Sequence, residues 1–250
     1  VDRSTIDRSV AQCKASRRAM NFEFSPEQRA FAHSLERALS QACPRAAVRG
    51  AITASSDHHT PSWKVLTDLG VLGCAIPETY GGHGLSELEL ALAAEQIGAA
   101  VAPVPVASSI YVAALTLVRE GSPEQCAMWL PRLARGEVSA TFHFGSGLAI
   151  ESETVHGRAS PVADGNRASL LVALCAEGGS NSLCLVDLSR GVRRQPLDCL
   201  DASKPLTELM IEGARGEFLG ERGDGRAAAD RAIDRAAVLL AFEQLGGAQA

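Results

Sequence analysis

The sequence predicts an α+β multidomain fold: an N-terminal all-α domain, a middle antiparallel β-barrel or sandwich domain, and the start of a C-terminal helical bundle. Three observations predict it. Between Ser25 and Ala134, helix-start signals recur, each followed by apolar residues at helical spacing. From Val138 to Phe218 the segments shorten, grow rich in Val, Leu and Thr, and are separated by Gly, Asp, Asn and Ser. From Arg226 helical period returns. Runs of helix followed by runs of strand indicate separate domains rather than alternating α/β units. The expected parts are a disordered leader at 1–19, helical and β-domains at 20–136 and 137–222, and the first helix of a truncated C-terminal domain at 223–250.

The first helix starts at Ser25-Pro26-Glu27-Gln28, with Ser as N-cap, Pro at the first position and Gln28 placed for a capping box. Phe31, Leu35, Ala38, Leu39 and Ala42 then repeat at helical spacing until Cys43-Pro44. Residues 50–60 read as a polar loop, and Pro61–Leu69 as a short helix carrying Trp63, Val65 and Leu66. Ser86 and Glu89 form a second capping box for a helix over 86–99, with Leu88, Leu92 and Ile97 as its apolar positions. Residues 106–119 are almost wholly apolar, so a buried helix is expected there. Ser122-Pro123-Glu124-Gln125 repeats the first signature, and its helix ends near Ala134, before Gly136. The strand candidates are "SATFHF", "SETVHGRA", "ASLLVALCA", "SLCLVDL" and "LTELMIEG", with turns at "AEGGSN" and "DLSRG". In the last helix Ile233, Ala237, Leu240 and Ala241 form an apolar stripe that needs partner helices.

Bulk properties exclude several functional classes. The net charge of -5 gives no electrostatic footprint for nucleic acid or an anionic membrane surface. No apolar run reaches the roughly 18 residues of a membrane-spanning helix. The seven cysteines have no CxxC spacing, which predicts reduced thiols in a cytoplasmic protein. Residues 1–19 have no apolar centre and are not a secretory signal, while Met20 opens a stretch that reads as a natural start.

"PETYGGHG" places three glycines before a helix, a pattern that can cradle phosphate. Here no Lys-Ser/Thr follows and no strand precedes, so the glycines are read as turn geometry. His83 and the adjacent His58-His59 lack partners at metal spacing, and no metal site is expected. Trp63 and Trp129 read as packing anchors, Arg193-Arg194 as a solvated strand end, and Glu243 as an exposed helix carboxylate.

Taken together, "SPEQRAF", "LTDLGVLGCAIPETYGGHGLSELELALAAEQIGAAVAPVPV", "SPEQCAMWLPRLARGEVSAT" and "RAAVLLAFEQLGGAQA" resemble the acyl-CoA dehydrogenase family in order, spacing and residue type. The resemblance spans about residues 20–220 and the start of the last helix. It implies FAD as cofactor, an acyl-CoA substrate desaturated at the α,β position, an electron-transfer flavoprotein as acceptor, and a homo- or hetero-oligomer. It places the flavin-contacting stretch at His143, Phe144, Gly145 and Ser146. Gly145 and Ser146 stand where the family carries Thr and Glu, and Ser146 offers a hydroxyl one position late. The family's base, a Glu of the C-terminal domain, has no assigned counterpart here, so no catalytic residue is assigned. Three readings follow: a flavin-dependent dehydrogenase, a non-catalytic subunit that partners a complete FAD-bearing homologue, and a truncated remnant.

Overall fold

The computed structural model describes residues 23–53 and 60–250. The expected leader at 1–19, Met20 and the His58-His59 pair lie outside the described residues.

The first part of the chain is helical. Helices α1 (Pro26–Ala42), α2 (Arg45–Thr53), α3 (Thr60–Asp68) and α4 (Glu87–Ala99) precede a π-helix (Ala107–Ala114), which runs directly into α5 (Leu115–Glu120); α6 (Pro123–Ala134) follows. All three predicted capping boxes form, at Ser25/Gln28, Ser86/Glu89 and Ser122/Gln125. Their side chains also reach outward. Gln28 Nε2 donates to Glu89 Oε1 at 2.7 Å and ties the starts of α1 and α4 together. Gln125 Nε2 donates to the Phe218 carbonyl at 3.0 Å and ties α6 to the last strand of the β-domain. Trp63 and Trp129 are buried, and Trp63 Nε1 donates to the Gly136 carbonyl at 3.1 Å.

Three helical expectations change. Gly50 to Thr53 close α2, a helix that starts just past Pro44, instead of opening a loop. On α4, Leu88 is exposed, and the buried face is Leu90, Ala91, Leu92, Ala93, Ala94, Ile97 and Gly98. The apolar run expected as a buried helix at 106–119 is helical and mostly buried, but Ala107–Ala114 wind with π pitch. The "PETYGGHG" glycines serve geometry: Gly81 and Gly84 have φ of 76° and 59°, and a Cβ on Gly82 would meet the Ile76 carbonyl oxygen at 2.1 Å.

The β-domain has seven strands: β1 (Ala140–His143), β2 (Leu148–Glu151), β3 (Thr154–Ala163), β4 (Leu170–Glu177), β5 (Ser180–Asp187), β6 (Val192–Leu197) and β7 (Leu206–Phe218). Pairings β4–β5, β5–β7, β7–β3, β3–β2 and β2–β4 close a ring, so the domain is a barrel, with β1 flanking β4 and β6 flanking β7. The pairing is antiparallel except that β1 and β2 each run parallel to β4. β4 and β5 are buried on both faces. Leu171, Ala173, Cys175, Cys184 and Val186 fill the barrel, while Leu170, Val172, Leu174, Leu183 and Leu185 join the helical core. That shared face welds the two lobes; burying a large aliphatic side chain contributes about 1.5–3 kcal/mol.

α7 (Gly225–Gln249) closes the chain, packed against α4, the π-helix and β5. Its buried stripe is built from small residues: Ala228, Ala229, Ala232, Ala236 and Gly246, with Leu239. The stripe expected from sequence points elsewhere, and Ile233 and Leu240 are exposed, as are Val238 and Leu245. A helix with two apolar faces has buried the smoother one.

Candidate functional site

The stretch assigned from the resemblance forms the turn between β1 and β2. β1 pairs with β4 through His143↔Ala173, which fixes the histidine at the end of a barrel-flanking strand. Its side chain is buried, 6% exposed, and its Nε2 faces the Ser146 carbonyl at 3.3 Å. A carbonyl only accepts, so Nε2 is the ring nitrogen that carries the proton. The imidazole thus braces the turn from beneath. A Cβ on Gly145 would stand 2.9 Å from that Nε2, so any side chain at 145 would displace the ring.

The outer surface of the turn has a different character. Gly145, Ser146 and Gly147 are exposed, and Phe144 is half-buried. The Phe142 and Phe144 rings lie 5.4 Å apart, tilted by 46°, and form an apolar shoulder beside it. Gly147 has φ of 112° and its carbonyl accepts from the Arg158 amide at 2.9 Å, anchoring the far end of the turn on β3. Arg226, in the first turn of α7, donates to the Phe144 carbonyl at 3.4 Å. The turn is therefore held from β3, from α7 and from below. What it presents outward is backbone, one hydroxyl and an aromatic shoulder. This donor set fits the polar rim and flat face of a flavin ring.

Glu243 departs from expectation. It is mostly buried, and its Oε1 accepts from Lys204 Nζ at 2.9 Å. The exposed-carboxylate reading missed this because Lys204 lies 39 residues earlier, in the loop between β6 and β7. Arg194 lies exposed on its strand, as expected, but its guanidinium also donates to the carbonyls of Gly165, Ala168 and Leu188 at 2.9–3.1 Å. Burial lowers its pKa from the usual arginine value. Arg193, beside it, pairs with Glu212 at 3.0 Å on the surface.

Two further sites carry electrostatic information. Burial acts first to raise the Glu89 carboxyl, but hydrogen bonds from Gln28, Ser86 and the backbone outweigh it and hold the group below its ordinary value. Burial pushes the Cys74 thiol up to about 12, with the Glu89 charge adding to the effect. Among the described residues, no three His, Cys, Asp or Glu side chains cluster as a metal site, and no helix is long and apolar enough to cross a membrane.

Comparison with known proteins agrees with this fold. The family model for the acyl-CoA dehydrogenase N-terminal domain matches residues 25–137. Acyl-CoA dehydrogenase FadE34 of Mycobacterium tuberculosis is 31% identical over 218 residues, covering 85% of this chain and 28% of that protein. The structure of a glutaryl-coenzyme A dehydrogenase in complex with glutaryl-CoA superposes with a TM-score of 0.83 at 19% identity, covering 92% of this chain and 65% of the other. An acyl-CoA dehydrogenase from Bacillus anthracis, complexed with FAD, superposes with a TM-score of 0.80 at 22% identity, covering 90% and 42%. The chain thus spans less than two thirds of each of these three proteins.

Proposed function

The chain belongs to the acyl-CoA dehydrogenase family, and from that premise we propose that it supplies the helical and barrel lobes of a flavin-dependent enzyme that desaturates an acyl-CoA thioester at the α,β position. The observation that carries this reading is the β1–β2 turn, braced on three sides and presenting backbone and the Ser146 hydroxyl outward. FAD, when bound there, supplies the acceptor for the β-hydride. The chain's own residues do positional work. Ser146 and the backbone of Gly145 orient the ring by hydrogen bonds, and Phe144 with Phe142 excludes water from one side. His143 and Arg226 hold those groups in place without touching the cofactor. Preorganised donors of this kind contribute because they need no rearrangement when the cofactor arrives. The partners proposed with this reading are an acyl-CoA substrate, an electron-transfer flavoprotein and a further dehydrogenase subunit.

A second reading has its own support. Gly145 and Ser146 replace the family's Thr and Glu, and the carboxylate near the end of α7, Glu243, is engaged by Lys204 rather than free to take a proton. On this reading the chain is a non-catalytic subunit that partners a complete FAD-bearing homologue.

One preparation separates them. The purified chain is scanned for the flavin band near ~450 nm and mixed with acyl-CoA and a redox dye. The first reading expects a yellow protein whose dye reduction requires acyl-CoA. A colourless chain that gains activity with a homologous subunit sinks it and supports the second.

A further inference from the structure

Beneath α7, away from the β1–β2 turn, lies a buried polar cluster drawn from four parts of the chain. The π-helix contributes Ser108 and Tyr111, both 1% exposed. The turn after β3 contributes Asp164, 8% exposed, whose Oδ2 accepts from Ser108 Oγ at 2.6 Å. At the cluster's edge the loop before β7 contributes Lys204, its side chain 36% exposed, and α7 contributes Glu243, paired to it at 2.9 Å. Asp164 is fixed by its backbone as well: its amide donates to the Pro205 carbonyl at 2.9 Å, beside Lys204. α4 brings backbone rather than charge to this place, since Gly98 abuts the Glu243 carbonyl. Two polar atoms here, the Tyr111 hydroxyl and Oε2 of Glu243, are buried without a hydrogen-bond partner of bonding geometry.

The charge count is unbalanced. Two carboxylates share one ammonium, and the phenol is neutral, so full ionisation leaves one net negative charge under α7. Burying an uncompensated charge is strongly unfavourable, and a group in that position keeps its proton instead. We propose that Ser108, Tyr111, Asp164, Lys204 and Glu243 form a proton-holding latch that fastens α7 to the helical lobe and the barrel, and that losing the shared proton as pH rises loosens that helix. Asp164 is the group that holds it. Burial raises its pKa, the Ser108 hydrogen bond and Lys204 oppose that rise, and Glu243 reinforces it. The sign follows from linkage. A carboxyl raised on folding contributes stability that is fully present below its unfolded value, about 3.9, and is lost as pH rises through the folded value. Lys204–Glu243 remains as the fixed ion pair of the latch.

The test is amide hydrogen exchange over α7, corrected for intrinsic rates, from pH 3 to pH 8 in the full chain and in Asp164→Asn. Asn tolerates the positive φ of 54° at this position and still accepts from Ser108. Protection of α7 is expected to fall with pH in the parent and to stay level in the variant. The variant should also melt higher than the parent at pH 8, by about 3–6 °C for each tenfold of relieved instability, and equally with it at pH 3, below the unfolded value. Parallel pH profiles in the two proteins overturn the proposal. Infrared pH-difference spectra of the parent need no variant. A carboxylic acid band that titrates above the ordinary aspartate range supports the latch, and absence of that band overturns it.

Discussion

Gly246→Ala adds one methyl group where two helices cross backbone to backbone. A Cβ at Gly246 would sit 1.8 Å from the Glu95 carbonyl oxygen of α4 and 3.0 Å from the Ala99 nitrogen. The contact is reciprocal, since a Cβ at Gly98 would sit 1.8 Å from the Glu243 carbonyl oxygen of α7. Ordinary contact begins at 3.4 Å, so the helices must part by 3.4 − 1.8 = 1.6 Å at the crossing. The obstructing atoms are main chain, so no rotamer change relieves them. Overpacking costs about 1–3 kcal/mol, and an immovable obstacle puts this site at the upper end. Alanine returns about 1 kcal/mol through its helix propensity. The net expectation is a loss of about 2 kcal/mol, or about 4–8 °C in Tm for a chain of this size. The assay is thermal and urea unfolding by circular dichroism. Gly50→Ala is the control: it lies in α2 with nothing within 4 Å of the added Cβ, and should gain about 0.4–1 kcal/mol. A Gly246→Ala protein as stable as the parent would refute the close crossing of α4 and α7.

Other perturbations test other parts of the same structure. α4 ends in a two-bond C-cap, with Ala102 N donating to Ile97 O and Val101 N to Gly98 O, and Val101 takes the left-handed position with φ of 48°. A β-branched residue is penalised there, so Val101→Gly should raise stability by about 1 kcal/mol in the same urea assay. Arg194→Met keeps the volume but strips the donors from three carbonyls; a loss of about 3 kcal/mol is expected, and a loss below about 0.5 kcal/mol would contradict the clamp. The Glu89 carboxyl is held below its ordinary value, so its contribution is present above the unfolded pKa and lost as pH falls through the folded one. Thermal scans from pH 5 down to pH 2 should show a shallower acid loss in Glu89→Gln than in the parent.

Local chemistry made much of this fold legible. Each capping box joins residues three apart, and each formed, because the backbone amides it satisfies exist whatever the tertiary structure. Turns at Gly178-Gly179 and before Gly191 were equally readable, since glycine meets a positive φ there. What was missed depended on distance or on weak signals. β2, Leu148–Glu151, is four residues long and follows a glycine turn, so its alternation is too short to stand out. β6 carries Arg193 and Arg194, whose charge masked an edge strand, and Arg194 donates to carbonyls of two separate loops, β3–β4 and β5–β6. In α7 the large residues Ile233 and Leu240 drew the eye, while the packed face is alanine and glycine selected for close approach to α4. Glu243 looked exposed because neither Lys204 nor Tyr111 is near it in sequence. At the candidate site, the resemblance located the β1–β2 turn, but nothing local showed that His143 faces inward and braces Gly145.

The central claim is that this turn receives the isoalloxazine ring of FAD. A crystal structure of the chain reconstituted with FAD, in the presence of its partner subunit if the chain alone does not retain flavin, tests it most directly. The account predicts the ring's polar edge within hydrogen-bond distance of the Gly145 backbone or Ser146 Oγ, with His143 still under the turn. A flavin bound entirely by the partner, with the 144–146 turn facing solvent or protein, would contradict it.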